Sequence, residues 1–322
     1  MMEYVIGLDG GGTKTVAVIA DQTGKIITEA TGGTTNPNTL NQKELTTNIK
    51  RIFDLLKEQA PEAYRQVTYI YAGMSGVGTS KQKLIVSSIF KEILKISVPF
   101  EIVSDTMNAL FSGTYGKPGI VQIAGTGSIT YGINAKGFEL RLGGWGYLFG
   151  DEGSGYDLGR RAIVSVLEFE EKRNEKTELK DLLLSHFNVK NGREMIEKIY
   201  KSSVPKKEIA PLSIYVFKAY KNEDRVAVKI VHDVAEQLTA NVMTVNKELF
   251  SQQEVTPVIL AGGVFSEKEI LPLLIKRKLE NNNNISVYLP EVPPVYGSVI
   301  GALKNRGITV NEEVLKNIKT TK

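Results

Sequence analysis

The strongest constraint in this chain is an internal repeat. VIGLDGGGTKTVAVIADQTGKII, starting at Val5, and IVQIAGTGSITYGINAKGFEL, starting at Ile120, share one layout. Each reads as an apolar strand, a turn of small residues, a second strand, a glycine turn and a third strand. Asp9 and Gly24 lie fifteen positions apart, and Ala124 and Gly137 thirteen. A repeat distance above 100 residues excludes a solenoid, whose units recur every ~20–50 residues. The chain therefore reads as a duplicated α/β protein, each copy founding one of two lobes that face each other across a cleft. Its 322 residues exceed what a single core commonly serves, which agrees with two domains.

Hydropathy periods fill in the elements. Strands are predicted at 5–9, 14–21, 25–32, 67–73, 100–104, 256–264 and 285–289, besides those of the second repeat at 120–142. A helix over 41–59 carries Leu45, Ile49, Ile52, Phe53 and Leu56 on one face, and another near 80–95 follows. Beyond Gly150 the chain turns helical, near 152–172, 177–186, 191–200 and 208–221. A long helix at 224–249 then aligns Ala227, Val231, Val234, Leu238, Val242, Val245 and Leu249. A helix near 267–279, an exposed asparagine turn at 281–284 and a final helix after Pro293-Pro294 complete the reading. The domains are expected at 1–115 and 116–322, the last helix being free to dock back on the first lobe.

Composition removes several chemistries. With no cysteine and only His186 and His232, the chain has no thiol nucleophile, disulfide, cysteine-held cluster or His-rich metal site, and both histidines read as structural. A net charge of +4 without a concentrated basic stripe argues against nucleic acid. The acidic, short apolar start MMEYVIGLDG is no signal peptide, and no run reaches the ~18 apolar residues of a membrane span. A cytoplasmic protein with a small-molecule partner is expected.

The chemistry concentrates in glycine turns and short acids. In DGGGTKT, Asp9 ends a strand, Gly11 and Gly12 let backbone N–H groups approach an anion, and Thr13, Lys14 and Thr15 add donors. The spacing fits neither a Walker loop nor a dinucleotide fingerprint, so it reads as a different phosphate cradle, with Asp9 where Mg²⁺ could sit. AGTGS supplies Gly125, Thr126 and Gly127 at the matching place of the repeat, as a second phosphate turn or a plain hairpin. Gly262 and Gly263 end a buried strand, either to admit a ligand or to pack closely. Asp105 opens a helix after FEIVS, as an N-cap or as a base for phosphoryl transfer; the helix N-terminus would hold its pKa low. GGWGYLFGDEGSGYDLGR packs seven glycines, the only tryptophan and three acids into 143–160, which suits a polyhydroxylated ligand. Asn36 offers both donor and acceptor, or simply turns the chain before Pro37.

Taken in order, DGGGTKT, TNPN, SDTMNAL, AGTGS, GGWGYLFGDEGSG and LAGGV resemble the N-acetylglucosamine kinase family of the sugar-kinase and actin-like ATPase superfamily. The resemblance implies two ribonuclease H-like lobes with ATP and Mg²⁺ in the cleft between them. Asp9 would help hold the metal through water, and Thr13 and Thr126 would meet the phosphates. Asn36, Asp105, Gly144, Trp145, Gly146 and Asp151 would contact the sugar, with Asp105 as base on its 6-hydroxyl. Ala210 and Gly263 look like adenosine-side positions, and a homodimer is implied as well. Similar loops occur in relatives acting on N-acetylmuramic acid or glucosamine, so these are alternative substrates. The chain also resembles ATPase activators of radical dehydratases, but those hold an iron–sulfur cluster with cysteines this chain lacks. A nucleotide-driven switch acting on a protein partner is the competing function, disfavoured by GGWG and Asn36.

Overall fold

The computed structural model describes residues 2–94, 98–280, 282 and 284–320. The chain divides into two compact units, Met1–Lys117 with Pro290–Lys322, and Pro118–Leu289. The predicted helix end at Lys95, and Asn281 and Asn283 of the asparagine turn, lie outside the described residues.

The first unit contains β1 (Tyr4–Gly10), β2 (Lys14–Asp21), β3 (Ile26–Gly33), α1 (Gln42–Gln59), α2 (Pro61–Arg65), β4 (Val67–Met74), α3 (Ser80–Leu94), β5 (Phe100–Ser104) and α4 (Asp105–Thr114). Its sheet runs β3-β2-β1-β4-β5, antiparallel among the first three strands and parallel from β1 to β5. Alternation along β1 splits its side chains between the two faces. Ile6 and Leu8 pack into a core with α1 and α3, where the predicted Leu45, Ile49, Ile52, Phe53 and Leu56 are all buried. Each such side chain contributes about 1.5–3 kcal/mol by leaving water. A capping box of Asn41 and Glu44 fixes where α1 begins.

The other face of β1 takes α4 and, from the end of the chain, α12 (Pro294–Asn305), while the last helix, α13 (Glu312–Thr320), packs on the Gly24 turn between β2 and β3. Glycine permits the close approach of α12: a Cβ on Gly7 would stand 2.4 Å from Ser298 Oγ, and one on Gly297 would stand 2.0 Å from the Asn108 carbonyl oxygen. Neither α2 nor α13 is anticipated by the hydropathy pattern. Helix α13 buries only Val314 and Ile318, too short a stripe to register as a period.

The second unit contains β6 (Gly119–Ala124), β7 (Ser128–Ile133), β8 (Glu139–Gly143), α5 (Gly155–Glu170), α6 (Leu179–Phe187), α7 (Gly192–Lys201), α8 (Pro205–Ile209), a 3₁₀ turn (Ala210–Leu212), α9 (Ser213–Lys221) and α10 (Arg225–Leu249). It ends with β9 (Thr256–Ala261), a 3₁₀ turn (Gly263–Phe265), α11 (Leu271–Leu279) and β10 (Ile285–Tyr288). Its sheet order, β8-β7-β6-β9-β10, repeats that of the first unit with the same sense of every pairing. The duplication expected from the repeat is present, and the fold is the doubled ribonuclease H-like, actin-like ATPase fold that the resemblance implies.

Three boundaries move for local reasons. The helix expected over 208–221 breaks at Pro211, which has no N–H to continue the ladder. Strand β9 stops at Ala261 because Gly262 adopts φ 108°. Helix α5 starts at Gly155, capped by Ser154, since Asp151 and Gly153 occupy left-handed conformations. Among the described residues no helix is long and apolar enough to cross a membrane.

Candidate active site

In the first unit the strand register builds the site. Asp9 on β1 lies opposite Gly73 on β4, and Gly73 opposite Val103 on β5, all near the C-terminal ends of parallel strands. Asp105 follows two residues later as the first residue of α4. Its alternative role as the N-cap is filled by Ser104, whose hydroxyl accepts from the Thr106 N–H. The Asp105 carboxylate is therefore not the cap, and it accepts a 3.2 Å hydrogen bond from Ser104 Oγ.

Burial pushes the Asp105 carboxyl up, against the Ser104 hydroxyl and nearby backbone N–H groups that favour its charge. This corrects the low value expected from the helix N-terminus: enclosure by protein outweighs the dipole. Asp9 is raised to about 6, chiefly by burial and further by the charge of Asp105, while Asn108 and Lys14 act in the opposite direction. Asn108 Nδ2 donates to Asp9 Oδ1 at 2.8 Å, and Asp9 Oδ2 has no hydrogen bond among the described residues.

The glycine turn between β1 and β2 closes with Gly11 N–H donating to the Lys14 carbonyl at 2.9 Å. The Gly11 carbonyl in turn accepts from Thr34 Oγ1 at 2.9 Å. No atom lies within 4 Å of a Cβ placed on Gly12, and Gly12, Thr13 and Lys14 are exposed. The N–H groups of Gly12 and Thr13 make no hydrogen bond among the described residues, which leaves donors for an anion. Thr15 departs from expectation: it is buried, and its hydroxyl pairs with Thr35 Oγ1 at 2.9 Å, so it secures the hairpin. The Asn36 carboxamide oxygen accepts from the Asn38 N–H at 2.9 Å, an Asx turn, and packs against Gly76 after β4; its Nδ2 has no bond among the described residues.

The second unit has its own glycine turn, closed by Gly125 N–H to the Gly127 carbonyl at 2.8 Å. The Gly125 carbonyl accepts from the Gly155 N–H at 2.8 Å, so the start of α5 braces it. Thr126 is exposed, and no atom lies within 4 Å of a Cβ on Gly125. Asp151 is 4% exposed and turned onto this hairpin. Its Oδ1 accepts from the Ser128 N–H at 3.2 Å, its Oδ2 pairs with Lys206 Nζ at 3.0 Å, and both lie within 3.0 Å of a Cβ on Gly127.

Ala210 is brought to the same hairpin, because a Cβ on Gly155 would meet the Ala210 carbonyl at 2.9 Å and the Gly125 carbonyl at 3.2 Å. The next glycine pair divides its tasks. Gly262 backs onto Ala124, with 2.3 Å from its would-be Cβ to the carbonyl oxygen, whereas Gly263 is exposed with open space around it. Gly143, Gly144 and Gly146 all take positive φ, presenting Trp145 at 70% exposure. Arg141 braces this loop, its guanidinium lying 4.6 Å from the Trp145 ring centre and donating to the Gly144 carbonyl at 2.8 Å.

The sequence reading does not single out Asn108, Lys206 or Thr34. Asn108 stands within SDTMNAL, three residues after Asp105 and so on its helical face, a spacing that could have flagged it. Lys206 carries no local signal. Three of the buried side-chain atoms without a partner among the described residues, Ser75 Oγ, Thr106 Oγ1 and Asn108 Oδ1, gather at the strand ends around Asp9 and Asp105. Unsatisfied polar atoms cost stability, and such a cluster marks a place shaped for something other than stability.

A divalent cation suits Asp9 in the chemistry of its donors. No group of three or more acidic or histidine side chains forms a cage among the described residues. A single carboxylate with one unbonded oxygen matches Mg²⁺, which keeps most of its waters and takes further oxygens from phosphates.

A model of the BadF/BadG/BcrA/BcrD ATPase family matches residues 6–303. The chain is 36% identical over 269 residues to the N-acetylmuramic acid/N-acetylglucosamine kinase of Clostridium acetobutylicum, covering 82% of this chain and 86% of that protein. It is 33% identical over 315 residues to the N-acetyl-D-glucosamine kinase of Dictyostelium discoideum, covering 94% and 99%. A crystal structure from Chromobacterium violaceum, provisionally named an N-acetylglucosamine kinase, superposes with a TM-score of 0.74 at 22% identity, covering 92% and 98%.

Proposed function

The chain belongs to the BadF/BadG/BcrA/BcrD ATPase family, and on that premise we propose that it is an ATP-dependent kinase acting on the 6-hydroxyl of an amino sugar, N-acetylglucosamine first. The names of the Clostridium acetobutylicum and Dictyostelium discoideum relatives support the substrate class. N-Acetylmuramic acid, named for the former, and glucosamine are the alternatives. One observation carries the chemistry: Ser104 caps α4, leaving the partly enclosed Asp105 carboxylate beside Asp9.

In this reading Asp105 orients the sugar 6-hydroxyl and accepts its proton as that oxygen bonds to the γ-phosphorus of ATP and ADP departs. A carboxylate made more basic by burial is better suited to take that proton. Gly12, Thr13 and Lys14 donate to phosphate oxygens in the first unit, on a turn that the Gly11 N–H closes against the Lys14 carbonyl. In the second, Gly125, Thr126 and Gly127 form a phosphate turn, with Ala210, Gly262 and Gly263 on the adenosine side. Asp9 would hold Mg²⁺ through water, and the ion would neutralise phosphate charge. Asn36 in the first unit, and Gly144, Trp145 and Gly146 in the second, are assigned to sugar hydroxyls and ring. Asp151 stands apart from that set, since both of its oxygens already have partners in the protein. A cytoplasmic homodimer completes the reading on resemblance alone, and light scattering tests the dimer.

ADP release measured with N-acetylglucosamine, N-acetylmuramic acid, glucosamine and glucose tests the proposal. A rate that depends on an added amino sugar supports it. Equal ADP release with no sugar present would overturn it in favour of a switch ATPase. Asp105→Asn is expected to lower turnover by about 10²–10⁴-fold while leaving KM for ATP nearly unchanged.

A further inference from the structure

Asn108 is completely buried, yet the proposed reaction makes no use of an amide inside α4. Its Nδ2 donates to Asp9 Oδ1 at 2.8 Å, to the Leu8 carbonyl at 3.0 Å and to the Gly73 carbonyl at 3.3 Å. The fold is cut to fit it. A Cβ on Gly73 would lie 2.2–2.3 Å from three atoms of the amide, and Gly297 makes room for the Asn108 backbone carbonyl. Meanwhile Asn108 Oδ1 is buried without a partner, a penalty that an apolar side chain would avoid.

A residue that leaves a buried oxygen unpartnered and is seated by two glycines needs a purpose besides packing. Its bonds run from α4, the helix that Asp105 begins, to Asp9 at the end of β1. The two carboxylates repel each other, as the effect of Asp105 on Asp9 attests, so nothing in their own interaction holds them at a fixed spacing.

We propose that Asn108 is the positioning residue that fixes Asp9 relative to Asp105, tying down one oxygen of Asp9 and directing the other toward the cation and phosphates. The inference rests on the kinase reading for its turnover measurement but not for its binding measurement.

Three variants test it: Asn108→Ala, Gly73→Ala and the double variant. Gly73→Ala puts a methyl where the amide lies, displacing it without altering Asp9 or Asp105. In the double variant the same methyl refills the space that Asn108→Ala empties. The measurements are Tm, kcat, KM for sugar, and the Mg²⁺ concentration giving half of the thermal protection by ADP. Both single variants are expected to lose about 10–100-fold in kcat, with KM for sugar little changed and the Mg²⁺ requirement raised several-fold. The double variant is expected to regain Tm while kcat and the Mg²⁺ requirement stay impaired. Recovery of turnover together with Tm would reduce Asn108 to packing and overturn the proposal, as would an Asn108→Ala protein with normal kcat and Mg²⁺ requirement. If the unaltered protein shows no sugar-dependent ADP release, the kinase reading fails, and ADP protection still decides the role of Asn108.

Discussion

Replacing Asp9 by asparagine is expected to stabilise the first unit at neutral pH while removing its function. The carboxyl is held at about 6, above the ordinary aspartate value of 3.8, because burial and Asp105 penalise its charge. At ~1.4 kcal/mol per pH unit, keeping it ionised costs the fold roughly 3 kcal/mol. Asp9 retains some contact with solvent, which lowers the realistic figure to about 1–3 kcal/mol. Asparagine keeps the acceptor that Asn108 uses and carries no charge for Asp105 to repel.

The sign of the pH dependence follows. Below pH 3.8 the carboxyl is protonated whether folded or unfolded, and the penalty vanishes. It grows as pH rises from about 4 to about 6 and is complete above that. Thermal unfolding of both proteins at pH 4.5 and 7.5 reads the effect directly. At ~2–4 °C per kcal/mol for a unit of this size, Asp9→Asn should raise Tm by several degrees at pH 7.5 and much less at pH 4.5. An unchanged Tm at pH 7.5, or an equal gain at both values, would refute the reasoning. Protection by ADP with Mg²⁺ should be lost in the same variant, a gain in stability at the expense of activity.

Two further outcomes follow from the same geometry. Because burial raises Asp105, the acid limb of the kcat/KM profile should lie above the ordinary carboxylate range, activity rising with pH as the base loses its proton; the residual rate of Asp105→Asn should show a shallower limb, with only the Asp9 carboxyl left to titrate there. Lys206→Met strands the buried Asp151 carboxylate and should destabilise the second unit by up to about 3–5 kcal/mol in urea unfolding, with most of the loss recovered by adding Asp151→Asn. A double variant no more stable than Lys206→Met would refute the pairing.

The sheets and the main helices were legible because their signals are local. The face of α1 is written as Leu45, Ile49, Ile52, Phe53 and Leu56, and burial follows that period residue for residue. Boundaries set by a single backbone angle were not legible in the same way. The stop of β9 at Ala261 depends on Gly262 taking φ 108° against Ala124, a contact between residues 138 positions apart in the sequence. The site divides along the same line. Asp9, Asp105 and the glycine turns follow from motif and spacing, whereas Asn108 and Lys206 act through partners brought to them by packing. Helical spacing places Asn108 beside Asp105, but nothing in the sequence says that Gly73 leaves the space its amide fills.

The two hairpins show what the duplication kept. In the first unit the Gly11 carbonyl is held by Thr34 Oγ1, from the segment after β3; in the second the Gly125 carbonyl is held by the Gly155 N–H, from the segment after β8. A side chain and a backbone group thus perform the same restraint at equivalent places, so the geometry of the turn persisted while its chemistry changed. The carboxylates changed more. Strand β1 carries Asp9 one residue before its end, whereas β6 has Ile123 at the same place, and the acid nearest the second turn, Asp151, arrives from a later loop already paired with Lys206. A cation would gain little from a carboxylate so neutralised, while Asp9 has an unbonded oxygen and a charge penalty that a cation would relieve. In the proposed reading, metal chemistry therefore belongs to the first unit, and the second turn is the part that would hold phosphate through its backbone.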